Sequence, residues 1–209
     1  MTTMDILIDL QLRLKPFLQK DTTGHDWYHT LRVYNTALQL SEEEHADKLI
    51  TGLAALLHDV ADHKFGYTDS DRERILNDWL SCYSLDGSIT KEVIYIVNHI
   101  SFKRGTNTHK MQTIEGAIVQ DADRLDAIGA VGIARAFAYG GSEDRPLYDP
   151  DGKTVDEQGT IGHFYEKLLL LKDRMNTEAG KKRADHFHKT METFLQDFYA
   201  QWDGEDLDK

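Results

Sequence analysis

Chemistry in this chain centres on an adjacent pair, His58-Asp59, which closes the apolar run LAALLHDVAD. A carboxylate and an imidazole at the tip of a core helix are costly to bury unless something compensates them. A divalent cation does so, because it pairs with the carboxylate and accepts the imidazole lone pair at once. A second histidine, His29, stands one helix earlier in GHDWYHTLRV. Further carboxylates, Asp121, Asp123 and Asp126, crowd the otherwise apolar string QDADRLDAIGA. Helical spacing places Asp123 and Asp126 on one face and Asp121 elsewhere. Taken singly, a histidine near an apolar face is commonly a satisfied core residue, and Asp121 reads as a helix N-cap. Taken together, these residues form a mixed nitrogen and oxygen ligand set with positions left open for water and substrate. Such a set suits Mn, Fe, Zn, Ni or Co better than Mg or Ca.

The elements that must position these residues are helical. Ile6, Leu10, Leu14 and Leu18 mark an opening helix, and Leu31, Tyr34, Leu38 and Leu40 a second that ends near Ser41. Leu49, Leu53, Leu56 and Leu57 mark a third, apolar on most sides and therefore central. Helical patterns continue over roughly 69–83, 90–101, 113–139, 161–175 and 178–202. No segment alternates with a period of two, so the fold class is all-α. The irregular stretch 140–160 holds four glycines and two of the three prolines. It reads either as a surface connection to a C-terminal helical pair at about 161–202 or as a lid over the site. The polar tail from Asp203 onward is expected to be disordered.

Bulk properties narrow the partners. A formal charge of −12 opposes the tracking of a nucleic acid polymer, while a small anion remains open to a metal-bearing pocket. The single cysteine, Cys82, excludes an internal disulfide and reads as a small buried hydrophobe. The N-terminal segment lacks the continuous apolar stretch of a signal peptide, and no aliphatic run spans a bilayer, so a cytoplasmic location without membrane contact is expected.

The order His29, His58-Asp59, Asp123 resembles the H…HD…D signature of the HD-domain phosphohydrolases. The strings HDWYHTLRV, LLHDVADHKF, VNHISFK and QDADRLDAIGA, with HFYEKLLLLKDRMNTEAGKKRA near the C-terminus, are similar to one branch of small stand-alone bacterial HD hydrolases. That likeness spans nearly the whole chain. It implies a single HD-domain protein, a helical bundle with additional C-terminal helices, whose metal-site core covers about 22–135. It selects Asp123 as the last ligand, since Ala122-Asp123-Arg124-Leu125 resembles the A-D-[KR]-L phrase of the family, with Asp126 second.

The resemblance further implies one divalent ion per chain (Mn, Co, Ni, Fe, Zn or Mg) held by His29, His58, Asp59 and Asp123. Such an ion lowers the pKa of its water and polarises a phosphoryl oxygen. Asp62, three residues beyond Asp59, matches the carboxylate that acts on the attacking water in related nucleotide-directed enzymes. Lys103, in the string ISFK, is the first candidate for phosphate contact, with Lys64 and Arg104 beside it. His25 and His99 are candidates for phosphate binding, proton shuttling or ligand orientation. Arg124 reads as a structural salt-bridge residue, Trp27, Tyr28 and Phe102 as core or pocket wall, and His186 and His188 as solvated. His63 and His109 have no such support. The implied activity is pyrophosphate release from nucleoside triphosphates, with phosphate release from monophosphates as the alternative. A di-iron oxygenase and a binding module with a structural metal are the competing classes, and a homodimer is compatible with the pattern.

Overall fold

The computed structural model describes residues 1–18, 26–60, 67–100, 109–154 and 156–205. It is all-α: the described residues form helices and turns and no strand. The chain divides into two compact units, Met1–Asp123 and Arg124–Lys209.

The first unit contains α1 (Thr3–Leu18), α2 (Trp27–Glu43), α3 (Lys48–Leu57), α4 (Asp69–Leu80), α5 (Gly87–His99) and all but the last turn of α6 (Ile114–Asp126). Its axis is α3, in which Leu53, Ala54, Ala55, Leu56 and Leu57 are entirely buried. The helices α1, α2 and α5 pack around it. Burying each of those leucines contributes about 1.5–3 kcal/mol, which is why the shortest helix so far can serve as the centre. Asp47 caps α3 by accepting from the N–H groups of Leu49 and Ile50 at 2.7 and 3.1 Å. The Asp47 N–H donates in turn to Glu115 Oε1 at 2.9 Å. α3 and α6 therefore start side by side.

The second unit holds α7 (Gly129–Ser142), α8 (Gly159–Glu166) and α9 (Glu178–Asp203). Phe137, Phe164, Phe194 and Phe198 form its aromatic core, with ring centroids 5.7–6.4 Å apart.

Several expectations need correction. The pattern over 113–139 is two helices, not one, with a corner at Ala127 and Ile128. Gly129 has φ +70°, where a side chain is strained, and a Cβ on Gly132 would lie 2.3 Å from the Ala127 carbonyl oxygen. Apolar periodicity runs straight through this corner and conceals it. The segment 161–175 is likewise broken, since Lys167 leaves the α region and Leu168–Arg174 winds as a tighter 3-10 helix. The irregular stretch is shorter than 140–160, because α7 continues to Ser142 and α8 begins at Gly159. Cys82 is exposed in the turn after α4, not buried. The helix α9 runs through Asp203 and is capped by Gly204 at φ 72°, so order extends further than the polar tail implied. Residues 206–209 lie outside the described residues. Among the described residues no helix is long and apolar enough to cross a membrane.

Candidate metal centre

The site is assembled from one end of each of three helices. Asp26 caps α2 by accepting from the His29 N–H at 2.9 Å, which sets His29 in the first turn. His58 and Asp59 follow the last residue of α3 directly. The helix α6 delivers Asp123.

His29 and His58 meet through their Nε2 atoms at 3.1 Å, with the rings inclined at 68°. Asp59 Oδ2 lies 3.3 Å from each of those nitrogens. Asp123 Oδ1 lies 3.6 Å from His29 Nε2. His29, His58 and Asp59 are buried at 1%, 4% and 8% exposure, whereas the Asp123 side chain is 32% exposed. Asp123 is thus the part of the set that meets solvent.

This arrangement fits a divalent cation on two grounds. Such ions hold nitrogen and oxygen donors at about 2.0–2.2 Å, so adjacent donors stand ~3.0–3.5 Å apart, the spacing found among the His29, His58 and Asp59 atoms. The donor chemistry agrees. His58 Nδ1–H donates to the Ala55 carbonyl oxygen at 2.7 Å, so a neutral His58 presents its lone pair on Nε2. Lone pairs and a carboxylate at this spacing repel unless positive charge stands among them. Burial works against a charged His58, but the Asp59 carboxylate, the hydrogen bond to it and the Asp123 charge outweigh burial and push the imidazole up to about 9. A field that retains a proton there also retains a cation. Among the described residues His29, His58 and Asp59 are the one histidine, cysteine and carboxylate group whose atoms converge tightly enough for an ion.

The other candidates are placed as follows. Asp126 accepts from Arg135 Nη1 at 2.5 Å within the second unit, an ion pair that employs the carboxylate structurally. Asp121 is fully buried inside α6 and is no N-cap. Arg124 donates to the backbone carbonyl of Arg174, so its structural partner includes a main-chain oxygen where a carboxylate was expected. Trp27 is buried, but Tyr28 is 59% exposed and lines no core. His186 is exposed as expected. His188 is not fully solvated, with a 16% exposed side chain whose Nε2 lies 3.3 Å from Glu192 Oε1. His25, Asp62, His63, Lys64, Phe102, Lys103 and Arg104 lie outside the described residues.

His99 ends α5 and donates Nδ1–H to the Tyr95 carbonyl oxygen at 2.7 Å. Its ring stacks on His109, centroids 4.3 Å apart, and His109 Nε2 lies 2.7 Å from the Tyr95 hydroxyl. His109 thus has a partner set that sequence reading missed. Tyr95 and His99 share a helix face at i, i+4, which was a usable signal, but the return of the chain at His109 was not.

Comparison with known proteins places this architecture. The HD domain family model matches residues 26–128. The chain is 40% identical over 184 residues to the Bacillus subtilis (strain 168) protein YpgQ, covering 88% of this chain and 87% of that protein. A crystal structure of an HD-superfamily hydrolase from Bacillus thuringiensis is similar with TM-score 0.83 and 41% identity, over 98% of this chain and 100% of that one. The structure of B. subtilis YpgQ in complex with ADP is similar with TM-score 0.79 and 34% identity in that superposition, over 96% and 97% of the two chains. With the H…HD…D residues converging and these matches running end to end, the chain belongs to the HD-domain superfamily, beside the small bacterial HD hydrolases.

Proposed function

We propose that this protein is a metal-dependent phosphohydrolase that cleaves a nucleoside triphosphate and releases pyrophosphate. The observation that carries this reading is the convergence of the His29, His58 and Asp59 donor atoms at mutual distances of 3.1–3.3 Å, with the part-exposed Asp123 carboxylate 3.6 Å from His29. These four residues hold one divalent ion in this reading. Bound there, such an ion supplies a Lewis acid for a phosphoryl oxygen and acidifies water. The ADP complex of the similar YpgQ protein supports a nucleotide as ligand.

The chain's own residues have distinct tasks. The carbonyl of Ala55 holds the His58 ring so that Nε2 faces the cluster. Asp59, almost fully enclosed, keeps its carboxylate in the same place for want of alternative solvation. Asp62, whose position resembles that of the water-directed carboxylate in related nucleotide-directed HD enzymes, accepts the proton of the attacking water. Lys103, Arg104, Lys64 and His25 neutralise and orient the phosphate chain, a role that cations fill where charge develops in phosphoryl transfer. His99, its ring oriented by the Tyr95 carbonyl, serves beside these roles as an imidazole for phosphate contact or proton transfer. The protein acts in the cytoplasm in this reading, on a small phosphorylated substrate.

The test is release of phosphate and pyrophosphate from nucleoside mono-, di- and triphosphates with Mn, Co, Ni, Fe, Zn or Mg added. Pyrophosphate from triphosphates alone supports the reading. Phosphate from monophosphates alone replaces it with a nucleotidase, and oxygen consumption by an iron-loaded protein that hydrolyses nothing replaces it with an oxygenase.

A further inference from the structure

The Tyr95, His99 and His109 rings form a compact group at one end of α5. Tyr95 and His99 lie 4.5 Å apart between centroids, and His99 and His109 lie 4.3 Å apart at 31°. Their hydrogen bonds limit where the protons can be. The backbone N–H of Gln112 donates to the Tyr95 hydroxyl oxygen at 3.1 Å. That leaves the hydroxyl's own proton available to the other neighbour, His109 Nε2, at 2.7 Å. Where the tyrosine donates, His109 Nε2 is the acceptor and a neutral His109 carries its proton on Nδ1. The Tyr95 carbonyl can only accept, so His99 Nδ1, 2.7 Å away, also carries the proton and leaves Nε2 as the acceptor atom. One residue thus meets both imidazoles, through its side chain for one and its main chain for the other.

The location makes this relevant to the ligand set. Gln120 Nε2 donates to the carbonyl oxygen of Ile100, the residue after His99, at 3.3 Å. Gln120 stands one turn before Asp123 on α6, and α5 packs on α3. The imidazole pair therefore lies at the end of the first unit that bears His58, Asp59 and Asp123.

We propose that Tyr95 is a positioning residue for the hydrolytic reaction, one that locks the stacked His99 and His109 into a fixed pair of tautomers. The proposal rests on the phosphohydrolase reading. Locked this way, the pair presents a chosen nitrogen acceptor on one ring and a chosen N–H donor on the other, the two functions that binding or relaying a proton at a phosphoryl group requires.

The experiment is made on the full-length protein labelled with 15N at histidine and loaded with Mg, a diamagnetic ion. Long-range 1H–15N spectra at about pH 8 read tautomers directly, with His99→Gln and His109→Gln as assignment controls. Nδ1–H tautomers are expected for both residues. Tyr95→Phe keeps the ring and the carbonyl but removes the hydroxyl. It should return His109 toward the commoner Nε2–H form, leave His99 unchanged, and lower kcat about 10- to 100-fold with KM within about twofold, as loss of an orienting partner does. His109→Gln retains an acceptor for the tyrosine, and the double variant should be no slower than the slower single variant. Wild-type His109 found as Nε2–H, or Tyr95→Phe with unaltered tautomers, overturns the proposal, as does unaltered kcat. Absence of turnover in the wild type refutes the hydrolase reading instead, and the spectra still decide whether Tyr95 sets the pair.

Discussion

His29 and His58, carried by different helices, point their Nε2 atoms at each other across 3.1 Å. Two neutral imidazoles can share that space only if one donates a proton to the other or a cation lies among the lone pairs. Because the Ala55 carbonyl holds the Nδ1 proton of His58, a neutral His58 accepts at Nε2, and only a protonated His58 donates from it. The consequences of that arrangement can be measured.

The first concerns pH. His58, raised from 6.5 to about 9 against the opposing effect of burial, is protonated at neutral pH when no metal is bound, and metal must displace that proton. Affinity should rise about tenfold per pH unit from 7 to 9 and level off above, with about one proton released per ion at pH 7.5. The metal-free protein should behave in the opposite sense. A raised folded-state value stabilises fully below the ordinary imidazole range, so stability should decline as pH rises from 6.5 through 9. Calorimetric titration in two buffers of different ionisation enthalpy, with thermal melts of the metal-free protein, checks both.

A second prediction separates the two neighbouring aspartates. Asp123→Asn should weaken metal binding at least 10-fold with little change in Tm. Asp126→Asn should leave metal affinity nearly intact but cost about 1–2 kcal/mol, because it weakens the part-buried pair with Arg135. Metal titration and thermal unfolding of both variants read the difference.

Much of this was legible in the sequence, and the exceptions have physical reasons. The core position of α3 followed from an apolar run with no polar face, and His58-Asp59 stood out because charge at the end of such a run demands compensation. The corner between α6 and α7 did not, since apolar spacing persists through Ala127 and Ile128 while only Gly129 and Gly132 mark the break. Cys82 was misread because its neighbour Tyr83 is buried while Cys82 itself faces solvent from the turn after α4. The Tyr95–His109 bond joins residues fourteen positions apart, a separation that no local pattern encodes.

That corner supplies a third prediction. Gly132→Ala would set a methyl against the Ala127 backbone, which cannot move aside as a side-chain tip would. A loss of about 1–3 kcal/mol is expected, the usual cost of overpacking. Chemical denaturation should show a lower midpoint with an unchanged slope.

The most direct test of the metal-centre account compares wild type with Asp59→Ala, each shown to be folded, for metal content and for nucleotide turnover with Mn, Co, Ni, Fe, Zn or Mg supplied. The account expects about one ion per wild-type chain with metal-dependent turnover, and loss of both ion and turnover in Asp59→Ala. Asp59→Ala that retains its ion and full turnover would contradict it.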